Sequence, residues 1–70
     1  MDKKSMIKEL VCEFAKAYGV GSSMFKEIYI KQDALVNKID RRWKKEYIEL
    51  MYNEFKDGRW ISAVIADLLY

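Results

Sequence analysis

The 70-residue chain contains no proline, histidine or threonine, only one cysteine and only three glycines. With no proline and little glycine, few positions interrupt a helix. The absence of histidine removes the commonest general base and the commonest metal ligand. The lone Cys12 excludes an intrachain disulfide and a cysteine-rich zinc site. These absences predict a helical protein of a reducing compartment, with no metal ion or other cofactor.

Long apolar runs are also missing, and none approaches the ~18 residues that a membrane-spanning helix requires. The first residues, Met1 to Ser5, are charged and do not resemble a signal peptide. Hydrophobic residues make up 51% of the chain, which excludes a chain disordered by composition. We therefore expect one cytoplasmic domain over residues 1–70 with no membrane contact. Because so short a chain has a small core, close helix packing or association must stabilise it.

Apolar residues recur at helical spacing along the chain, and capping or turn residues separate the segments. The pattern predicts helices over residues 5–18, 22–31, 34–56 and 59–69. Gly19 and Gly58 follow two of the predicted ends, and Asp33 is the predicted cap of the third helix. Residues 32–33 leave open whether the second helix continues into the third. The predicted fold class is all-α, a compact small bundle of three to four helices with an N-terminal hairpin similar to a helix-turn-helix.

The long predicted helix has two apolar stripes, so it must contact two neighbours, or one neighbour and a partner chain. The first stripe is Val36, Ile39, Trp43, Tyr47, Leu50 and Met51. The second stripe is Ile48, Tyr52 and Phe55. The last predicted helix is also strongly apolar, and a strand over residues 60–65 is less favoured because no second strand could pair with it.

Enzyme activity is not expected, and no catalytic residue or small-molecule substrate is predicted. The spaced acidic pairs lie on polar helix faces beside basic residues rather than in a cleft: Glu9 with Glu13, and Glu46 with Glu49. Cys12 has no histidine to activate its thiolate. The sequence from Gly19 to Gly21 lacks the third glycine and the preceding strand of a phosphate-binding loop.

Residues 11–30 resemble the helix-turn-helix of DNA-binding proteins. Ala15 is the small residue required where the two helices cross, and Gly19, four positions later, tolerates a positive φ. Val20 supplies an inward apolar turn residue, and either Ser22 or Ser23 can cap the second helix. The resemblance implies that the second helix reads a DNA groove.

The charge distribution supports a nucleic-acid partner. Residues 26–45 carry seven basic and three acidic side chains, a net charge of +4, whereas residues 46–70 carry a net charge of −3. We predict a small DNA-binding regulator whose basic face contacts phosphates. The predicted DNA-binding residues are Ser22, Ser23, Lys26, Lys31, Lys38, Arg41, Arg42 and Lys45. A plain helical hairpin with a solvated basic face would fit the same pattern, and the second helix offers no arginine, asparagine or glutamine to read bases.

The alternative function is a small protein-interaction module, an adaptor or inhibitor that docks on a larger protein. The chain is 14% aromatic, and a domain of this size cannot bury all ten aromatic rings. We also predict a homodimer, because the last helix has too little polar surface for a monomer. The predicted protein-interface residues are Ile48, Tyr52, Phe55, Trp60, Val64 and Leu68.

Overall fold

The computed structural model describes residues 1–70, of which 77% are helical and none is in a strand. The helices are α1 (Lys3–Lys16), α2 (Ser23–Ile30), α3 (Gln32–Arg42), α4 (Lys45–Lys56) and α5 (Ile61–Leu69). They form one body with principal extents of 32 × 25 × 23 Å. The predicted all-α class is confirmed, but the number of helices is five rather than three or four. None of these helices has the length and apolar character needed to cross a membrane.

The single long helix predicted over residues 34–56 is wrong, because the chain breaks into α3 and α4 at Trp43 and Lys44. Both residues have extended backbones, with φ −122°, ψ 146° and φ −76°, ψ 160° respectively. The Trp43 indole N–H donates to the Leu68 carbonyl oxygen at 2.8 Å, and its ring stacks on Tyr47 with centroids 4.3 Å apart. Docking of Trp43 onto the end of α5 thus replaces the helical continuation that the sequence pattern predicts.

Only Lys31 separates α2 from α3, which answers the question that the sequence left open. Its φ of −92° and ψ of 5° end α2. Its carbonyl oxygen still accepts from the Leu35 backbone N–H at 3.0 Å, so α3 begins at once. Asp33 lies in the first turn of α3 and is not its cap.

The central helix is α1, which contacts each of the other four. Asp2 caps it by accepting from the Ser5 backbone N–H at 2.7 Å. The helix ends at Lys16, and a six-residue turn follows in which Gly19 has a φ of +92°. An L residue with a side chain rarely adopts this φ, so glycine permits the reversal toward α2.

The core consists of thirteen buried side chains, all of them hydrophobic and drawn from all five helices. They are Met6, Ile7, Leu10, Val11, Ala15, Ile28, Val36, Ile39, Ile48, Met51, Val64, Ile65 and Leu68. Leu50, predicted in the same stripe as Ile39, is 52% exposed, because the break at Trp43 rotates α4 away from the register of α3.

Candidate functional site

An apolar groove of about 420 Å³ opens between α1, α2, α3 and α5, and nine of its ten lining residues are hydrophobic. Ile28 and Ile65 form its buried floor. Tyr18, Met24 and Tyr70 stand at its edges and are 46%, 41% and 92% exposed. The groove therefore presents aromatic and methionine side chains to solvent above an aliphatic floor.

Three polar contacts hold the walls of the groove in place. The Ser22 hydroxyl oxygen accepts from the Phe25 backbone N–H at 3.1 Å and caps α2. Arg42 donates through Nη1 and Nη2 to the carbonyl oxygens of Leu69 and Tyr70, at 3.0 and 3.3 Å. The two Arg42 bonds fix the end of α5 against α3, and they satisfy carbonyl groups that a helix C-terminus leaves unpaired.

The wall contributed by α1 is built from two rings. Phe14 and Tyr18 lie one helical turn apart and pack edge to face, with centroids 5.5 Å apart. Phe14 is half-buried against the core, and Tyr18 extends beyond the end of α1 into the turn. This pairing places an aromatic wall beside the Met24 side chain of α2.

The predicted DNA-binding residues divide into two groups. Ser22, Lys31 and Arg42 take part in contacts within the chain, since Ser22 and Arg42 hold the groove walls and Lys31 pairs with Glu27 at 3.2 Å. The remaining five are exposed and form no ion pair: Ser23, Lys26, Lys38, Arg41 and Lys45. The eight residues are spread over the start of α2, all of α3 and the start of α4.

The segment that resembles a helix-turn-helix departs from the expected geometry in its turn. Ala15 is buried, as the resemblance implies, and lies on α1, which packs against α2. Val20, however, is 76% exposed rather than turned inward. The six-residue turn with two positive-φ glycines is long enough to carry Val20 out over solvent. The outer face of α2 exposes Tyr29 and Ile30, which are 56% and 81% accessible.

Three of the predicted protein-interface residues are not on the surface. Ile48, Val64 and Leu68 are fully buried, because α5 packs its apolar face against α1 and α4 of the same chain. Trp60 is 81% exposed, while Tyr52 and Phe55 are partly buried against the core. The predicted dimer surface is therefore reduced to these last three residues, and self-association stays a prediction.

A polar cluster joins α1 to α4 on another side of the molecule. The buried Oε2 atom of Glu9 lies 2.8 Å from Lys56 Nζ. The Lys56 ammonium, and after it the Tyr52 hydroxyl, hold the pKa of Glu9 below its usual range. The Glu9 carboxylate in turn raises the pKa of Lys56. This cluster is an interhelical ion pair with no adjoining cavity.

A second depression of about 330 Å³ lies between α1 and α3. Its lining is mostly polar and mixes the acidic Asp2 and Asp33 with the basic Lys4 and Lys8. The Asp2 carboxylate already caps α1, and its hydrogen bond from the Ser5 backbone N–H lowers the pKa of Asp2. Opposite charges balance across this depression, so it selects no ligand charge.

The sequence pattern did not predict the apolar groove. Its lining comes from four helices. The groove forms because the chain turns at Lys31 and because Arg42 holds the end of α5 by hydrogen bonds. No periodicity within one helix encodes that arrangement.

Comparison with protein-family models, with curated proteins and with solved structures finds no match to this chain.

Proposed function

We propose that the chain is a protein-interaction module that binds an apolar segment of a larger protein in the groove between α1, α2, α3 and α5. The observation that carries this proposal is the lining, in which Tyr18, Met24 and Tyr70 remain exposed above an aliphatic floor. Exposed apolar side chains that lie together, unlike those scattered singly, are typical of interaction sites. Tyrosine and methionine are also enriched at the centres of protein interfaces.

The lining favours a protein segment over a small ligand. A volume of about 420 Å³ falls in the general range of small-molecule sites. Such sites also hold a few converging polar groups that orient the ligand. Here the polar side-chain groups are the hydroxyls of Ser62 and of Tyr18 and Tyr70 at the edges, and the floor of Ile28 and Ile65 has none. A set of leucine, isoleucine or phenylalanine side chains from a partner would satisfy the groove without further polar contacts.

Affinity capture with paired variants tests this function. The wild-type chain, Met24→Glu and Ile30→Glu are immobilised and exposed to an extract of the cells that make the protein. Met24 lines the groove, whereas Ile30 lies on the same helix, is 81% exposed and does not line the groove. We expect one protein to be retained by the wild type and by Ile30→Glu but lost from Met24→Glu. Equal retention by all three chains would contradict the proposal.

DNA binding is the second candidate function, and the unpaired cations favour it. Lys26, Lys38, Arg41 and Lys45 are exposed and enter none of the ion pairs, so they are free to contact phosphates. Fluorescence anisotropy with duplex DNA at ~50 mM salt measures this. A regulator should bind more tightly than about 10⁻⁴ M, and Arg41→Ala should flatten the salt dependence by about one phosphate contact. No binding under these conditions would exclude DNA as the partner.

A further inference from the structure

One edge of the apolar groove is basic. Leu35 lines the groove from α3, and Lys31, Lys38 and Arg42 lie four residues before it, three after it and seven after it. Residues at these spacings share one face of a helix. The Leu35 backbone N–H bonds to the Lys31 carbonyl oxygen at 3.0 Å, so the helical register already holds at Lys31.

Two contacts of α3 place this helix face beside the groove. Leu35 is itself a lining residue, and Arg42 donates hydrogen bonds to two other lining residues, Leu69 and Tyr70. Lys38 lies between Leu35 and Arg42 on the same helix face, so the helical spacing places it beside the groove between these two residues. The basic row therefore runs beside the apolar lining.

The carboxylates near the groove are already neutralised. Glu27 lies one turn before Lys31 and pairs with it at 3.2 Å. On α5, Asp67 pairs with Arg59 at 2.6 Å, and on α1, Glu13 pairs with Lys16 at 3.7 Å. Lys38 has no acidic partner within the chain. Since Lys31 is paired with Glu27, the excess positive charge on this face of α3 lies at Lys38 and Arg42.

We infer that the groove takes an amphipathic helix of a partner protein, with apolar residues on one face and carboxylates on the flank that meets α3. This inference rests on the proposed function and adds the partner's charge to it. A helix lays apolar anchors into a groove at three- and four-residue spacing. Acidic residues beside those anchors would reach Lys38 and the N–H groups of Arg42 that the Leu69 and Tyr70 carbonyl oxygens leave free, which gives the complex its orientation.

Selection from a display library of random helical peptides tests the inference on the full chain. We expect the selected peptides to have apolar residues at helical spacing and a net negative charge, and to lose binding to Met24→Glu. Binding of a selected peptide should weaken about fivefold in Lys38→Glu, since an ion pair at a rim is worth a few-fold in affinity. Arg41→Glu makes the same charge reversal on the same helix, away from the Leu35 face, and should change the affinity much less.

The outcomes separate the inference from the function on which it rests. Groove-dependent peptides that are neutral or basic, or equal weakening by Lys38→Glu and Arg41→Glu, would overturn the acidic partner and leave the docking groove standing. A lack of any peptide whose binding depends on Met24 would overturn both. A dimer in light scattering that Met24→Glu dissociates would show a second copy of this chain in the groove and would also overturn the inference.

Discussion

The burial of a single side chain determines how much stability its substitution removes. Ile39 is fully buried among the helices, whereas Leu50 is 52% exposed on α4. Cutting a buried isoleucine back to alanine removes transfer free energy and leaves a cavity. The same cut at an exposed leucine removes little of either.

We therefore expect Ile39→Ala to lower the free energy of unfolding by about 2–5 kcal/mol. Leu50→Ala is the matched control, and it should change that free energy by less than about 0.5 kcal/mol. Urea denaturation followed by circular dichroism measures both variants. Similar losses in the two would mean that Leu50 is as buried as Ile39, against the described fold.

The Glu9–Lys56 ion pair makes stability depend on pH at the acidic end. The Lys56 ammonium lowers the pKa of Glu9 from its ordinary 4.5 in the folded chain. A carboxylate with a lowered folded pKa stabilises the protein above its unfolded pKa and loses this effect as pH falls through the folded value. The free energy of unfolding should therefore decrease as the pH is lowered below 4.5, the ordinary pKa of Glu9.

Glu9→Gln should flatten this acid slope, because an amide has no proton to take up. Lys56→Met removes the partner instead of the carboxylate and should flatten the slope as well. Denaturant titrations at a series of acidic pH values give the comparison. An unchanged slope in both variants would show that the pair does not couple to folding.

At the scale of elements, the ends of the helices determine how the groove is assembled. The second helix, α2, has only eight residues, and so short a helix is marginal without a cap and tertiary packing. Its N-terminus depends on the Ser22 hydroxyl oxygen, which accepts from Phe25 N–H at 3.1 Å. Ser23, the first residue of α2, is exposed and forms no side-chain hydrogen bond.

Ser22→Ala should thus cost about 1 kcal/mol of stability, the usual loss for a serine cap. Ser23→Ala should leave stability nearly unchanged. Thermal unfolding of the two variants in parallel distinguishes them. A larger loss from Ser23→Ala would assign the cap to the neighbouring residue.

The all-α class and most core positions could be predicted from the sequence. The break between α3 and α4 and the apolar groove could not. Ile39 and Val36 follow the 3.6-residue period, and burial follows from it. Trp43 also fits that period, but its indole bonds to Leu68, which is distant in sequence, and this contact outweighs local helix preference. Val20 illustrates the same limit, because its exposure depends on a turn whose length the motif does not fix.

At the scale of the whole molecule, one apolar core connects all five helices. Each helix contributes at least one of the thirteen buried side chains, and α1 contacts every other helix. Small domains with one core of this kind usually unfold in a single cooperative transition. No helix of this chain has a separate core that could persist after the others unfold.

We expect urea unfolding curves from circular dichroism and from Trp43 fluorescence to coincide. The Trp60→Phe variant makes Trp43 the only tryptophan, and since Trp60 is 81% exposed the substitution should cost little. Trp43 reports on the contact between α3, α4 and α5, while circular dichroism reports on all helices. Curves with separate midpoints would indicate that part of the bundle unfolds independently.

The central claim is that the chain binds its partner through the apolar groove rather than through its basic face. Amide chemical-shift mapping of the labelled chain with a display-selected peptide tests this most directly. We predict that the shifted amides cluster around Tyr18, Met24, Leu35 and Leu69, which line the groove from the turn after α1 and from α2, α3 and α5. Shifts confined to Lys26, Arg41 and Lys45, with the groove unchanged, would contradict the claim.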